Sequence, residues 1–389
     1  MIWQEKRLGD LADIQLGKML DQKKNRGEYR PYLGNDNVQW NELKLDEIKL
    51  MRIQDSERER FRLRPGDLLV CEGGDPGRCA LWSTNEEIYY QKALHRVRVG
   101  SELDPEYLLY YMMHLGTTQA IRQYYTGSST IKHLPNAAIK RVVIRYPSLS
   151  DQKMIASYLR SYDVLIENNR KQIKLLEEAA QRLYKEWFID LRFPGHEDAE
   201  TDPETGLPEG WRSELLIENA TVQYGYSFDA TFFNSAGAGT PIIRIRNVQD
   251  GFSNDFTTEE FPSKYQVSNG DLLVGMDGEF YINTWVGGDA ALVQRSCRIK
   301  PGNSINEGYL KCALKPQLVA LQNGIVGATV AHLGKKHIDA MRITIPDESL
   351  MEIFAQIERR SLLLRQACRK ASEARDRLLP RLMEGEVVL

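Results

Sequence analysis

An internal repeat constrains this 389-residue chain more than any other feature of its sequence. The pentamer Gly66-Asp67-Leu68-Leu69-Val70 recurs unchanged as Gly270 to Val274. Other matches surround the pentamer at a similar offset: Trp3 with Trp211, Gly17 with Gly225, Trp82 with Trp285, and His133 with His332. Self-similarity of this kind marks one structural unit that is used twice. The sequence therefore predicts two similar globular domains.

A long amphipathic helix is predicted after the first copy. Apolar residues recur at alternating steps of four and three, and neither Pro nor Gly interrupts the pattern, which is the a and d stripe of a coiled coil. Asn169 is the one polar residue of the stripe, and we interpret it as a residue that fixes the pairing register. The stripe comprises Ile155, Leu159, Tyr162, Ile166, Asn169, Ile173, Leu176, Ala180, Leu183 and Trp187.

A second helix with the same spacing follows the second copy. Its stripe is less apolar because it contains Ser361 and Arg375, and Pro380 is expected to end or kink the helix near Leu379. Two unrelated surface helices would show the same periodicity, but the repeat favours a pair. The second stripe comprises Leu350, Phe354, Ile357, Ser361, Leu364, Cys368, Ala371, Arg375, Leu378 and Leu382.

These patterns predict an α+β fold. We expect two similar globular domains of mixed helix and strand, separated by two long helices that pack as an antiparallel coiled coil with pseudo-two-fold symmetry. Inside the first domain, Asp104 is expected to cap a helix that reaches Gln123, and Pro316 interrupts the corresponding pattern in the second. The predicted segments are a first domain at 1–150, a central helix at 151–192, a Pro-rich acidic linker at 193–210, a second domain at 211–347 and a C-terminal helix at 348–389.

Composition excludes several classes of protein. The formal charge is −3, from 51 basic and 54 acidic residues, so no global cationic field indicates nucleic acid. The sequence has no apolar run of about 18 residues, which excludes a membrane span, and its N-terminus lacks the apolar core of a secretory signal. The five cysteines include no CxxC pair and the six histidines form no metal-spaced cluster. A cytoplasmic protein with reduced thiols and no metal is expected.

The sequence shows no catalytic residues. It lacks the Asn/Asp-Pro-Pro-Tyr/Phe segment of amino-methyltransferases and the GxxxxGK[ST] phosphate loop. Residues 72–78 are rich in glycine, but Pro76 and the missing Gly-Lys pair favour a simple turn. Glu47-Ile48-Lys49 fits a nuclease triplet, yet no acidic partner precedes it on a strand. We therefore expect catalysis to come from partner proteins.

Together these features resemble one known family. The duplicated domain-plus-helix plan, the two GDLLV strands, the LPEGW segment at Leu207 and the RLLPRLMEGEV tail from Arg377 are similar to the specificity (S) subunit of type I restriction–modification enzymes. The resemblance covers nearly the whole chain. It implies that each copy is a target recognition domain that reads one half of a split, asymmetric site in double-stranded DNA.

The same resemblance implies partners. Two methyltransferase (M) subunits and, in a full complex, restriction/translocase (R) subunits would bind around the helices. The M subunits would transfer methyl from S-adenosylmethionine to adenine N6, so this chain itself would bind no cofactor. Three alternatives stay open: a solitary homologue used for methylation alone or for recombination, a self-sufficient methyltransferase, and a coiled-coil adaptor without a DNA role.

DNA recognition requires Arg, Lys, Asn or Gln side chains that reach base edges, with further contacts to phosphates. For any one candidate, a solvated surface charge is the commoner role, and His133 and His332 could be structural histidines. The polar loops that contain them, at 128–133 and 328–332, could instead dock an M subunit. The candidates are Lys18, Lys23, Lys24, Arg26, Arg78, Lys92, Arg122, Lys132 and His133 in the first copy, and Tyr224, Tyr226, Arg244, Arg246, Asn247, Arg295, Lys335 and Lys336 in the second.

Overall fold

The computed structural model describes residues 2–21, 25–127, 132–324 and 331–387. Its contacts divide the chain into two compact units. Unit 1 is Met1–Leu165 with Ala371–Leu389, and unit 2 is Ile166–Lys370. Both boundaries fall inside the long helices, so each unit holds one globular copy together with a segment of each helix. No helix in the described ranges is long and apolar enough to cross a membrane.

Unit 1 and the first long helix contain thirteen strands and five helices among the described residues. The strands are β1 Gln4–Arg7, β2 Ala12–Leu16, β3 Glu28–Leu33, β4 Val38–Gln39, β5 Glu42–Leu43, β6 Lys49–Ile53, β7 Leu68–Cys71, β8 Cys79–Leu81, β9 Tyr89–Tyr90, β10 Leu94–Val99, β11 Thr126–Gly127, β12 Lys132–His133 and β13 Val143–Tyr146. The helices are α1 Leu8–Leu11, α2 Asp55–Phe61, α3 Pro105–Thr117, α4 Asn136–Ile139 and α5 Leu149–Tyr184, and α5 continues as a π-helical turn over Lys185–Ile189.

The repeated pentamer forms the centre of the sheet in unit 1. The sheet has the order β2-β10-β7-β8, and every residue of β7 is buried. Gly66 turns the chain with a φ of +89°, which a residue without a Cβ adopts readily. The buried Asp67 carboxylate then accepts hydrogen bonds from Arg98 Nε and Nη2, both at 2.7 Å. Turn, ion pair and apolar strand together explain the sequence Gly-Asp-Leu-Leu-Val.

Unit 2 and the second long helix contain eleven strands and five helices among the described residues. The strands are β14 Arg212–Leu215, β15 Ala220–Tyr224, β16 Phe233–Asn234, β17 Thr240–Ile243, β18 Phe256–Thr257, β19 Gln266–Val267, β20 Leu272–Gly275, β21 Ile282–Thr284, β22 Ala290–Leu292, β23 Ser296–Pro301 and β24 Arg342–Ile345. The helices are α6 Leu216–Asn219, α7 Ile245–Asp250, α8 Glu307–Gly324, α9 Lys335–Asp339 and α10 Glu348–Met383.

The two units share one topology. The order β15-β23-β20-β21 repeats that of the unit 1 sheet, and β14-β24 repeats the antiparallel pair β1-β13. A parallel pair also recurs, β3 with β9 and β17 with β22. In the second pentamer Gly270 has a φ of +96° and Asp271 lies 3.5 Å from Arg298 Nη1. The predicted duplication is therefore confirmed strand by strand.

The two long helices run antiparallel within each unit, as predicted. In unit 2, the Ile166 carbonyl of α5 accepts a hydrogen bond from Cys368 Sγ of α10 at 3.7 Å, whereas the rings of Tyr184 and Phe354 lie 6.4 Å apart. Contacts that move toward the C-terminus of α5 therefore move toward the N-terminus of α10, which is an antiparallel arrangement. In unit 1, Asp163 of α5 meets Arg375 of α10.

The predicted stripes are mostly covered. The fully buried members are Ile155, Leu159, Ile166, Asn169, Ile173, Ala180, Phe354, Ser361, Leu364, Ala371 and Leu382. The half-buried members are Tyr162, Leu176, Leu183, Trp187, Leu350, Ile357, Cys368, Arg375 and Leu378. The periodicity missed Asp163, Tyr184 and Phe188, which are also buried.

Two expected helix ends are wrong. Helix α3 stops at Thr117 instead of Gln123, because Gln119 adopts a left-handed φ of +62° that breaks the helix. Helix α10 continues through Pro380 to Met383. Leu382 and Met383 beyond the proline are buried in the unit 1 core, and that burial offsets the hydrogen bond that proline cannot donate.

Helix α8 likewise runs through Pro316. Proline has no N–H, so the carbonyl of Cys312 lacks its usual donor four residues on. Gln181 of α5 supplies that donor, with its side-chain Nε2 at 3.4 Å from the Cys312 oxygen. A residue that is distant in sequence thus supplies the hydrogen bond that the proline cannot make.

A buried carboxylate fastens the globular part of unit 1 to its helices. Asp163 is 7% exposed and accepts hydrogen bonds from Asn41 Nδ2 at 2.7 Å, from Arg375 Nη1 at 2.5 Å, and from the Tyr110 hydroxyl. Burial and the neighbouring Asp163 raise the pKa of Tyr110, so its hydroxyl stays a donor. Because both oxygens of the carboxylate have partners, the cost of burying the charge is offset.

Unit 2 uses a different set of charges for the same purpose. Glu177 of α5 accepts from Arg365 Nη2 of α10 at 2.5 Å and from Lys311 Nζ of α8 at 3.1 Å. Lys311 also lies 3.3 Å from Glu358, whose carboxylate accepts from the Thr284 hydroxyl of β21. The network joins α5, α8, α10 and the sheet.

The Asp163 anchor predicts a large loss of stability. Asp163→Ala should lower the free energy of unfolding by about 3–5 kcal/mol, because it leaves the Arg375 guanidinium buried without its partner. Urea denaturation would measure the loss, and hydrogen exchange should localise it to unit 1. The control is Asp376→Ala, which removes a half-exposed carboxylate from the same arginine and should cost less than about 1 kcal/mol. Equal losses in both variants would contradict the anchor.

The Glu177 network predicts a pH-dependent contribution. Burial alone would raise the pKa of Glu177, but Lys311 and Arg365 hold it below its usual value of 4.5. Its contribution to stability is therefore complete above pH 4.5 and is lost as the pH falls through the lowered folded-state pKa.

The test compares the parent chain with Glu177→Gln in urea titrations between about pH 7 and pH 3. The difference in unfolding free energy should be largest at pH 7 and should shrink in acid. Glu178→Gln, one residue on and exposed to solvent, should follow the parent at every pH. A Glu177→Gln deficit that is constant with pH would rule out the ionic contribution.

Candidate nucleic-acid interface

In unit 1 the glycine-rich residues 72–78 form a turn beyond β7, as predicted. Backbone hydrogen bonds hold its start, from Glu72 N to Ala93 O at 2.9 Å and from Leu134 N to Glu72 O at 2.7 Å. The end of the turn is held by Arg78, whose Nη2 donates to the Asn35 carbonyl at 3.0 Å. Three separate stretches of chain thus meet at this turn.

Aromatic residues fix the middle of the turn. Trp40 Nε1 donates to the Asp75 carboxylate at 3.2 Å, and the Tyr125 hydroxyl donates to the Pro76 carbonyl. Burial and the nearby Asp75 raise the pKa of Tyr125 to about 12, so the phenol stays neutral. Burial also raises the pKa of Cys71, at the base of the turn, to about 11, which keeps its thiol unreactive.

Several predicted DNA-binding residues gather around this turn. A Cβ built on Gly73 would lie 3.2 Å from the His133 ring Nδ1, so the imidazole packs directly on the glycine backbone. Arg122, Lys132 and His133 are exposed at the same place, and Lys92 is exposed beside Ala93. The structure thus brings cations from three predicted loops onto one surface, which we call the unit 1 tip: residues 72–78, 92–93, 122–125 and 132–133.

Unit 2 builds the same framework with different side chains. Met276 N donates to Arg295 O at 2.9 Å and Leu333 N donates to Met276 O at 2.8 Å, matching the bonds made by Glu72 and Leu134 in unit 1. His332 Nδ1 lies 2.5 Å from Asp277 Oδ1, and Arg295 Nε lies 3.5 Å from Asp277 Oδ2. We call residues 276–279, 294–295 and 331–332 the unit 2 tip.

A second set of backbone hydrogen bonds shows which residues of the two tips correspond to each other. Lys18 N donates to Tyr90 O at 3.1 Å and Lys92 N donates to Lys18 O at 2.9 Å. The counterparts run from Tyr226 N to Leu292 O and from Gln294 N to Tyr226 O, both at 2.8 Å. Lys18 therefore corresponds to Tyr226, Lys92 to Gln294, and Ala93 to Arg295. The backbone is shared and the side chains differ.

Three of the predicted DNA-binding residues have structural roles instead. Lys18 is 2% exposed and its ammonium is paired with Glu57, so it has no free face for DNA. Asn247 is buried and its Oδ1 caps the start of α7 by accepting from Arg244 N at 3.0 Å. Burial raises the pKa of Tyr224, a half-buried residue that packs against the main core of unit 2. A DNA contact does not fit these three.

The remaining candidates lie outside the two tips. Arg26, Arg244, Arg246, Lys335 and Lys336 are exposed, with Arg246 paired to Asp255 and Lys335 to Asp339. Tyr226 packs its ring on Phe228 and Tyr265 and is half-buried. Lys23 and Lys24 fall outside the described residues, as do most of the predicted polar loops at 128–133 and 328–332.

Sequence reasoning missed several residues of the tips and their surroundings. Gln294 and Trp40 lie next to the candidates, and only the fold places them there. Arg52 and Arg60 are exposed, with their guanidinium carbons 4.9 Å and 5.0 Å from the ring centroids of Tyr29 and Phe61. The arginine-rich run from Arg58 to Arg64 could have flagged this second basic region. No group of metal-binding side chains occurs in the part of the chain that the structure describes.

The chain is similar to proteins of one known family. Residues 2–178 match the family model for the type I restriction modification DNA specificity domain. The type I restriction enzyme MjaIX specificity subunit of Methanocaldococcus jannaschii is 26% identical over 306 residues, which cover 72% of this chain and 68% of that protein. The EcoBI specificity subunit of Escherichia coli is 29% identical over 151 residues, 39% of this chain and 32% of that one.

Residues 2–178 thus match a type I restriction modification DNA specificity domain, and the chain is similar to specificity subunits of type I restriction–modification enzymes. A solved structure agrees in fold: the S subunit of a type I system from M. genitalium superposes with a TM-score of 0.56 at 17% identity, covering 98% of this chain and 96% of that one. The resemblance noted from the sequence is thereby confirmed. This similarity implies a role in recognising DNA sequence.

Two glycines of this chain set the geometry of its tips. A Cβ on Gly225 would lie 2.1 Å from Val293 O, and one on Gly17 would lie 2.3 Å from Gln91 O. Gly225→Ala should therefore lower the free energy of unfolding by about 1–3 kcal/mol, because backbone atoms must move apart. Thermal denaturation with hydrogen exchange over residues 290–296 would measure this.

The control is Gly324→Ala at the end of α8, where a Cβ meets no atom within 4 Å. That variant should keep its full stability. If Gly225→Ala were as stable as this control, the close approach would have no energetic consequence.

Proposed function

We propose that this chain reads a bipartite, asymmetric site in double-stranded DNA, with unit 1 and unit 2 each reading one half. The observation that supports this proposal most directly is that the two tips have the same backbone hydrogen bonds but present different side chains. Lys92 and Ala93 in unit 1 stand where unit 2 has Gln294 and Arg295. Since Arg prefers guanine and Gln prefers adenine in the major groove, equivalent positions would read different bases.

Phosphate contacts would supply the rest of the affinity. Arg122 and Lys132 on the unit 1 tip are exposed, as is Lys336 outside the unit 2 tip, and their charges can contact phosphates. Such cations fix the register of a protein on the duplex and release counterions. The formal charge of −3 does not argue against DNA binding, because the electrostatic field that acts on the DNA is local to each tip.

The chemistry would come from partners. In this proposal the chain is non-catalytic, holds no cofactor, and docks two methyltransferase subunits that carry S-adenosylmethionine and methylate adenine N6, with restriction subunits added in the full complex. Buried thiols support a passive role for the chain: burial raises the pKa of Cys297 and of Cys312 to about 12, so neither is a nucleophile near neutral pH. The proposal places the assembled complex in the cytoplasm, where its DNA is.

The test is methylome sequencing of a host that expresses the full chain with its methyltransferase subunit. The parent should give one motif with two unlike halves and an unspecified spacer. Arg122→Ala combined with Lys132→Ala should weaken methylation and leave the half-site read by unit 2 unchanged. Lys171→Ala on α5, which removes an exposed lysine paired with Glu167, should match the parent.

Other outcomes identify the alternatives. Methylation by the chain without partners would make it a self-sufficient methyltransferase. Assembly with methyltransferase subunits but no sequence-dependent footprint would make it an adaptor without DNA recognition. Methylation of a defined site with no restriction in the same host would place it in a methylation-only system.

A further inference from the structure

The turn at Gln294 and Arg295 is an exposed polar part of the unit 2 tip. It joins β22 to β23, and both side chains are exposed. The turn is fastened from two sides, by Gln294 N to Tyr226 O at 2.8 Å and by Met276 N to Arg295 O at 2.9 Å. Its backbone position is therefore fixed while its side chains are presented outward.

Arg295 adopts a left-handed backbone conformation, with a φ of +70°. A side chain rarely occupies this region unless the surrounding structure imposes it, and such residues cluster at functional sites. The two backbone bonds of the turn impose it here. The conformation directs the guanidinium toward Asp277 and His332, which lie on two other stretches of chain.

The contacts of the guanidinium leave much of it available. Its Nε lies 3.5 Å from Asp277 Oδ2, so the carboxylate orients the group from one edge. His332 Nδ1 lies 2.5 Å from Asp277 Oδ1 and must donate its proton there, since a carboxylate accepts only. The same nitrogen therefore cannot accept from Arg295 Nη1, which lies 3.4 Å away.

With respect to the residues that the structure describes, the Nη edge of Arg295 is thus oriented and still open. Its side chain is 56% exposed, and within the described ranges its Nη2 makes no hydrogen bond. Arg246, another exposed arginine of unit 2, is instead paired with Asp255. A guanidinium held at Nε with free Nη donors is the arrangement that can bind guanine O6 and N7 together.

We propose that Arg295 reads a guanine in the half-site of unit 2 through guanine O6 and N7, with Asp277 and His332 as positioning residues and Gln294 reading the neighbouring base pair. This inference rests on the proposed DNA-reading function. Unit 1 has Lys92 and Ala93 at the equivalent turn, so it has no forked donor there. A guanine specified at this position of one half-site therefore has no counterpart contact in the other.

The experiment uses the full chain assembled with its methyltransferase subunit and a library of duplexes randomised at each half-site position. Arg295→Ala should lose about 5- to 150-fold discrimination at a single base pair, the range expected for one bidentate contact. Arg295→Lys should keep the salt dependence of binding yet lose the same discrimination, because an ammonium lacks the fork. The matched control is Arg212→Ala on β14, which removes an equal charge from an exposed arginine of unit 2 and should leave every preference unchanged.

Asp277→Asn tests the positioning role. It keeps the size of the side chain and removes the charge that orients Arg295, so discrimination at the same base pair should fall while discrimination elsewhere stays. Thermal denaturation of each variant checks folding. An Arg295→Ala complex that keeps the parent preference at every position would overturn the proposal.

A uniform loss of affinity over all sequences, with the slope of log K against log salt smaller by about 1, would also overturn it, because that result marks a phosphate contact. Failure of the underlying function gives a different result. In that case the parent complex itself selects no sequence, and the variants have nothing to change.

Discussion

The structure depends on two carboxylates, one buried and one half-buried, that fasten each globular copy to the long helices. Asp163 in unit 1 and Glu177 in unit 2 both lie on α5, and each meets an arginine of α10. A buried charge is costly unless its lone pairs are satisfied, and each carboxylate has partners from both the globular part and the helix pair. The pairing of α5 with α10 is thereby tied to the placement of the sheets. This constraint explains why Arg375 can stand on an otherwise apolar stripe.

The two copies are most alike at the positions where the backbone geometry requires a particular residue. Gly17 and Gly225, the two GDLLV segments, and the Asp67–Arg98 and Asp271–Lys300 pairs hold equivalent positions because they close the same turns and sheets. The exposed ends of those turns carry no such restraint. They differ freely between the copies, as in the replacement of Ala93 by Arg295. A framework with fixed turns and variable tips suits a protein that reads two unlike sequences with one fold.

The sequence predicted the duplication, the strand cores, the Asp104 cap and the antiparallel helix pair. It failed where a distant residue changes the local outcome. Pro316 reads as a break, yet Gln181 supplies the missing donor, and Pro380 reads as an end, yet buried Leu382 keeps the helix going. Among the candidate site residues, Lys18 and Asn247 look like surface donors in sequence. Their burial against Glu57 and against the start of α7 depends on contacts that no local pattern encodes.

The sequence by itself determined the architecture, because the repeat and the four-three spacing are properties of residue order that dictate which faces must be buried. Only the tertiary structure decided which polar residues are structural and which remain for a ligand. Arg96 lies within β10 and Arg295 directly precedes β23, the equivalent strand of unit 2, yet Arg96 is 2% exposed against Asp13 whereas the Arg295 side chain is 56% exposed. The reason is physical: the role of a charge depends on the partners that folding brings within a few ångströms, and those partners come from remote parts of the chain.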